Sequence, residues 1–148
     1  MKYRVEIYYQ KADLPALEET SFFHYASSFD WYSHSSTYTP LMLVAFDADM
    51  PVAAMFANIT RINRLFSGKL FKRCFISQQP AFFDENCSRI DIFEVLITRL
   101  VKEVRSKVFL IRYENLGDAI FGYKGFRENK FYSIKWVNIR NSLQRKRK

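Results

Sequence analysis

The chain has 148 residues, of which 49% are hydrophobic, 26% charged and 18% aromatic, with a net charge of +8. This balance fits one folded domain and excludes a disordered chain, while four glycines and four prolines argue against collagen-like, linker-like and glycine-rich nucleotide-loop designs. The longest apolar runs, Leu41 to Phe46 and Val52 to Ala57, fall far below the roughly 20 residues of a membrane helix, and the charged, alternating start does not read as a signal peptide.

In chain order, Tyr3, Val5, Ile7 and Tyr9 alternate with Arg4, Glu6 and Tyr8, which predicts a half-buried strand closed by Leu14-Pro15. Phe22 to Ser36 reads as a helix: Phe22, Phe23, Ala26, Phe29 and Tyr32 or Ser33 recur at helical spacing, Thr20 or Ser21 is the N-cap, and Thr39-Pro40 ends the region. Leu41–Phe46 is a buried strand. Asp47 to Pro51 supplies turn chemistry, and Val52–Ile62 returns as the second arm of a hairpin. After a turn at Ser67-Gly68, Leu70–Ser77 alternates as a third strand, with Leu70, Lys72, Cys74 and Ile76 on one face.

A polar loop, Gln78 to Ser88, leads to the clearest helix, Ile90–Lys107. Its stripe is Ile90, Phe93, Ile97, Leu100, Val101 and Val104; Ser88 with Asp91 forms its cap, and Glu103 with Lys107 an i,i+4 pair. Val108–Tyr113 is a short central strand, expected to run parallel to Leu70–Ser77 because a helical crossover joins them. Asp118–Glu128 reads as a weaker helix capped by Asp118, with Asn129 in the left-handed C-cap position, and Phe131–Ile139 as a closing strand. The order predicts an α+β domain: a central mixed sheet with an antiparallel meander, a β-α-β crossover and flanking helices. It spans residues 1–143, and residues 144–148 form a basic tail expected to be disordered.

Three stretches carry a resemblance to a known family: Thr39 to Phe46 with its acidic turn; Ile90 to Arg105 leading into Val108 to Leu116; and Phe121 to Phe131 followed by Ile134-Lys135-Trp136. The pattern resembles the GNAT acyltransferase fold and, within it, the Fem family of peptidoglycan interpeptide-bridge aminoacyltransferases, from about Phe22 to Leu143. That resemblance implies transfer of an amino acid from aminoacyl-tRNA to an amine on a lipid-linked peptidoglycan precursor, in the cytoplasm or at the inner face of the membrane. Fem enzymes usually hold two GNAT-like halves, so a second half or a homodimer is an implied partner. In the other GNAT branch, a glycine-rich loop before the long helix holds the pyrophosphate of acetyl-CoA. Here Gln78 to Arg89 has no glycine, Pro80 lacks an N–H, and Asp84 and Glu85 repel phosphate, which argues against acetyl-CoA as cofactor.

For GNAT-type transfer, Glu114, after the central strand, is a candidate base if it is partly buried, and Tyr123, on the late helix as GNAT tyrosines are, a candidate proton donor. The competing readings are a solvated turn carboxylate and a packed amphipathic ring. Arg112 interrupts an apolar strand and is a candidate ligand for a carboxylate or phosphate, against a snorkelling arginine. Trp31, Tyr32 and Tyr38 exceed what one apolar stripe requires and are candidates for a substrate-stacking face, against core packing. Arg61, Arg64, Lys69, Lys72 and Arg73 gather around one turn as a candidate anion-binding cluster, against a solvated hairpin tip. The two cysteines, Cys74 and Cys87, and two histidines, His24 and His34, match no zinc spacing, so no metal is expected and a reducing, cytoplasmic setting is. Two further functions stay open: a non-catalytic GNAT-like binding or self-association module, and a small basic RNA-binding domain.

Overall fold

A computed structural model describes residues 2–17, 26–62, 68–76, 78–114 and 122–132. It contains β1 (Tyr3–Tyr8), α1 (Ala26–Ser33), β2 (Tyr38–Asp47), β3 (Met50–Arg61), β4 (Lys72–Ile76), β5 (Ala81–Phe82), α2 (Arg89–Val104), β6 (Leu110–Tyr113) and α3 (Tyr123–Glu128). One sheet runs β1-β2-β3-β4-β6, with β5 on the flank of β3. Every pairing is antiparallel except β4 with β6, which α2 connects. The predicted mixed sheet, meander and crossover are all present.

Both faces of the sheet are covered at its centre, so β2 and β3 are nearly continuous apolar runs. On one face Leu41, Leu43, Met55 and Ile76 pack against Ile92, Phe93, Leu96, Ile97 and Leu100 of α2. On the other, Met42, Val44, Phe46, Ala54 and Phe56 pack against Phe29 of α1. Each fully buried large side chain contributes about 1.5–3 kcal/mol.

The β2–β3 turn needs positive φ at Ala48 (53°), and the register shifts between Ala45 and Phe46, which draws Pro51 into β3 rather than leaving it in the turn. In α2 the Ser88 side chain accepts from the Asp91 N–H, so the cap is where it was expected. The buried stripe differs at its edges: Ile90 is exposed, Val101 is half-buried, and Ile92 and Leu96 join the core. Leu70 also leaves its predicted face. It lies in a 3-10 turn, Lys69–Phe71, and is 74% exposed, so the alternation buries only Cys74 and Ile76.

α3 is docked on α2. Gly125 sits against Ile97 and the Glu94 backbone, Lys124 pairs with Glu94 at 2.9 Å, and the Asn129 amide donates to Thr98 Oγ1 at 2.9 Å. Asn129 itself is not left-handed (φ −89°); its side chain also donates to the Gly125 carbonyl, and the next residue, Lys130 (φ 61°), takes the positive φ. The predicted cap Asp118, most of the closing strand Phe131–Ile139, and tail residues 144–148 lie outside the described residues. Among the described residues no helix is long and apolar enough to cross a membrane.

Candidate functional site

The divergence of β5 and β6 follows from register. Asn58 of β3 pairs with Phe75 of β4, and Ala53 pairs with Phe82 of β5. Five steps back along β3 therefore take seven forward along its partner, so two extra residues are looped out between β4 and β5. Among the described residues, β6 follows β4 to the Ile76–Tyr113 pair and the Glu114 N–H bond to the Ile76 carbonyl (2.9 Å), while β5 pairs with β3 and not with β6.

Cross-strand pairing then assigns side chains to faces. On the α1 side one row reads Tyr38, Thr60, Arg73 and Leu110, and the next reads Pro40, Asn58, Phe75 and Arg112. The Arg73 guanidinium lies 4.7 Å from the Phe75 ring centroid and that of Arg112 lies 5.7 Å from it. Arg112 also pairs with Glu114 at 2.8 Å. Asn58 Oδ1 and Arg73 Nε are buried in these rows without a hydrogen-bond partner, a state that in a folded protein calls for an explanation.

The aromatic candidates adjoin the same face. Tyr32 makes edge contacts with Trp31 (4.9 Å) and Tyr38 (5.3 Å) and a tilted contact with Phe56 (5.5 Å). Trp31 is 64% exposed, whereas Tyr32 and Tyr38 are half-buried. Trp31, Tyr32 and Tyr38 are thus brought together, and Arg112 shares the sheet face with Tyr38.

Of the two catalytic candidates, Glu114 lies at the exit of β6, exposed and bound to Arg112. Tyr123 opens α3 and is 65% exposed, so it does not pack on the sheet. The ring that α3 sends inward is Phe126, in contact with Phe93 (5.1 Å), Tyr113 (4.8 Å) and Phe131 (5.3 Å). The hydroxyl inside that cluster belongs to Tyr113, which sequence reasoning passed over. Its Oη is buried without a partner, and burial pushes its phenol well above the usual tyrosine range. A signal was available: Tyr113 shares the helix-covered face with Ile111, where a hydroxyl is out of place.

The basic cluster does not hold together. Adjacent strand residues point to opposite faces, so Arg73 goes to the α1 side while Lys72 joins its cross-strand partner Arg61 on the α2 side. Lys69 is in the 3-10 turn, and Arg64 lies outside the described residues.

The start of α2 is occupied by the chain's own groups. Asp84 accepts from the Asn86 N–H (2.8 Å) and from Cys87 Sγ (3.2 Å), and the first of these bonds holds its carboxyl below the usual range. Ser88 takes the Asp91 N–H, and Asp91 adds a second carboxylate to the first turn. These residues do not fit a pyrophosphate.

No protein-family model matches the chain, and no curated protein matches it significantly. Solved structures do. An aminoglycoside acetyltransferase from an uncultured soil metagenomic sample, in complex with trehalose, is 13% identical over 97% of each chain with a TM-score of 0.60. Its complex with sisomicin is 12% identical over the same shares, with a TM-score of 0.59. A ribosomal-protein-alanine N-acetyltransferase from Brucella melitensis biovar Abortus is 10% identical over 97% of this chain and 100% of that one, with a TM-score of 0.56. The likeness is one of fold: the chain has the mixed sheet and flanking helices of the GNAT acyltransferases.

Proposed function

We propose that the protein is an acyl transferase of the GNAT type, related to the enzymes that modify peptidoglycan precursors. The divergence of β5 and β6 carries this reading, because among the described residues β5 pairs with β3 and β6 with β4, and the base candidate Glu114 stands where β6 ends its pairing. Glu114 takes the proton from the attacking amine as the new C–N bond forms, and Arg112 positions its carboxylate. Tyr123, exposed at the start of α3, supplies a proton to the leaving oxygen as the acyl C–O bond breaks; Tyr113 lies on the other face of β6 from Glu114 and Arg112 and serves packing. The face of Phe75, Arg73, Tyr38, Tyr32 and Trp31 holds the acceptor, whose carboxylates suit the two arginines.

The donor is the aminoacyl group of an aminoacyl-tRNA rather than acetyl-CoA; what supports this is the glycine-free loop before α2, the carboxylates of Asp84 and Asp91 there, and the Ser88 side chain already on the Asp91 N–H. The acceptor is an amine on a lipid-linked peptidoglycan precursor, met at the membrane's inner face. The test is to incubate the purified chain and a soluble precursor pentapeptide with labelled aminoacyl-tRNA or, separately, with acetyl-CoA. Product masses are then followed by mass spectrometry. Aminoacyl transfer that is lost in Glu114→Gln supports the reading, and micromolar acetyl-CoA binding with acetylated product would overturn the donor. Precursor binding without transfer from either donor would make the protein a binding module instead.

A further inference from the structure

The far end of the sheet holds a second constellation, independent of the reading above. Arg61 and Lys72 are direct cross-strand partners at the β3–β4 end. Like charges placed opposite one another destabilise a sheet. Neither side chain forms an ion pair among the described residues, so nothing there offsets the repulsion. Both line a cavity of about 190 Å³, together with Lys107 and the hydroxyl-bearing Ser36, Thr37 and Thr39. At roughly 30 Å³ per water, the space holds a tetrahedral oxyanion and several atoms beyond it.

The charge in the cavity is specific. Lys107 donates to Glu103 (2.5 Å) and to Tyr9 Oη (3.1 Å), and Tyr9 Oη donates to Glu103 (2.8 Å). Glu103 is therefore already matched by Lys107, and the two charges left over are those of Arg61 and Lys72. A doubly charged oxyanion balances them, and three hydroxyls stand by as donors. The location is also distinct. Lys107 follows the C-terminus of α2, and at about 1.5 Å per residue the helix start is on the order of 24 Å away. Arg73 and Arg112 lie on the opposite face.

We infer that this cavity is a binding site for a phosphate group, carried by a small phosphate monoester or present as inorganic phosphate. The test is a titration of the full chain, followed by amide NMR, with inorganic phosphate, with glycerol 3-phosphate, and with sodium chloride at matched ionic strength. Saturable shifts at Thr37, Thr39, Arg61 and Lys72 are expected, with affinity on the order of millimolar. Arg61→Gln or Lys72→Gln should weaken binding by about tenfold, since each removes a charge-assisted contact. Tighter binding of glycerol 3-phosphate assigns the cavity to monoesters, and tighter binding of inorganic phosphate assigns it to the free ion. Thermal unfolding controls for folding. Without phosphate, the double variant should melt no lower than the parent, because the repulsion is gone. Phosphate should raise the midpoint of the parent and leave that of the double variant unchanged. Shifts that chloride reproduces, or equal affinity in parent and variants, would overturn the site.

Discussion

Gly122 is the position where a single methyl group should do most damage. Its φ is +78°, and a Cβ built there would stand 2.2 Å from Phe93 Cε1 and 2.5 Å from Cδ1. An L-residue in the left-handed region costs about 1–2 kcal/mol. Phe93 is fully buried and held by Tyr113 and Phe126, so its ring has no free space to move into, and overpacking of this kind adds about 1–3 kcal/mol. Gly122→Ala should therefore lose about 2–5 kcal/mol, a large share of the 5–15 kcal/mol typical of a domain. Gly68→Ala is the control: its φ is −64° and its nearest neighbour, Phe71 Cδ2, is 3.9 Å away. That change should be neutral or stabilise by up to about 1 kcal/mol through the unfolded chain. Urea unfolding followed by far-UV circular dichroism reads both as midpoint shifts at constant slope. A double-mutant cycle sharpens the test, because in a Phe93→Ala background the added methyl should cost only its backbone part. A Gly122→Ala protein within about 0.5 kcal/mol of the parent would refute the close contact between α3 and Phe93.

Tyr113→Phe removes a buried hydroxyl that has no partner and should stabilise the fold by about 1 kcal/mol in thermal or urea unfolding; a loss of stability would show that it is satisfied. Both thiols should resist alkylation near neutral pH in the native state, since burial pushes Cys74 up to about 12 and Cys87 is also raised; labelling faster than global unfolding would contradict this. Lys107, with Tyr9, holds the Glu103 carboxyl below its usual range, so its contribution is present above the unfolded value near ~4.3 and fades as pH falls through the lower folded value. Lys107 is raised in turn, so its share is present below ~10.4 and fades as pH rises through the higher folded value. With Lys107 largely exposed, Glu103→Gln should cost about 0.5–1 kcal/mol at neutral pH and flatten the acid limb of the stability profile, and an unchanged limb would count against the network.

The sequence was most legible where one physical signal dominated. The unbroken apolar runs of β2 and β3 mean burial on both faces, and the 3.6-residue stripe of α2 with Ser88 before it marks a capped amphipathic helix. It was least legible where a choice is settled by tertiary contacts. Asn129 has the better left-handed propensity, but its amide is committed to Thr98 and Gly125, so Lys130 takes the strained angle. The looping-out between β4 and β5 leaves only Pro80 as a trace, because the partner that exposes the shift, β3, is some twenty residues away in the chain. The basic run was misread for an avoidable reason: Lys72 and Arg73 are neighbours in a strand, and the pleat alone forbids them to serve one ligand. Tyr113 was missed in the same way, since alternation already placed its hydroxyl among apolar side chains.

The fold and the chemistry at its edges answer to different forces. The divergence of β5 from β6 is a matter of backbone register, set by two looped-out residues, whereas the overall fold is shared with neighbours that keep only 10–13% of its residues. The field at the first turn of α2 is set by a few side chains. A bare helix start offers unpaired N–H groups and a partial positive charge. Here Asp84, in the preceding turn, and Asp91 place carboxylates near that charge, and Ser88 accepts one first-turn amide, that of Asp91. Arg61 and Lys72, which form no ion pair among the described residues, stand at the opposite end of the same sheet. The proposed phosphate site thus lies away from the acidic first turn of α2, so the cations of this chain and the start of its long helix do not combine on one anion.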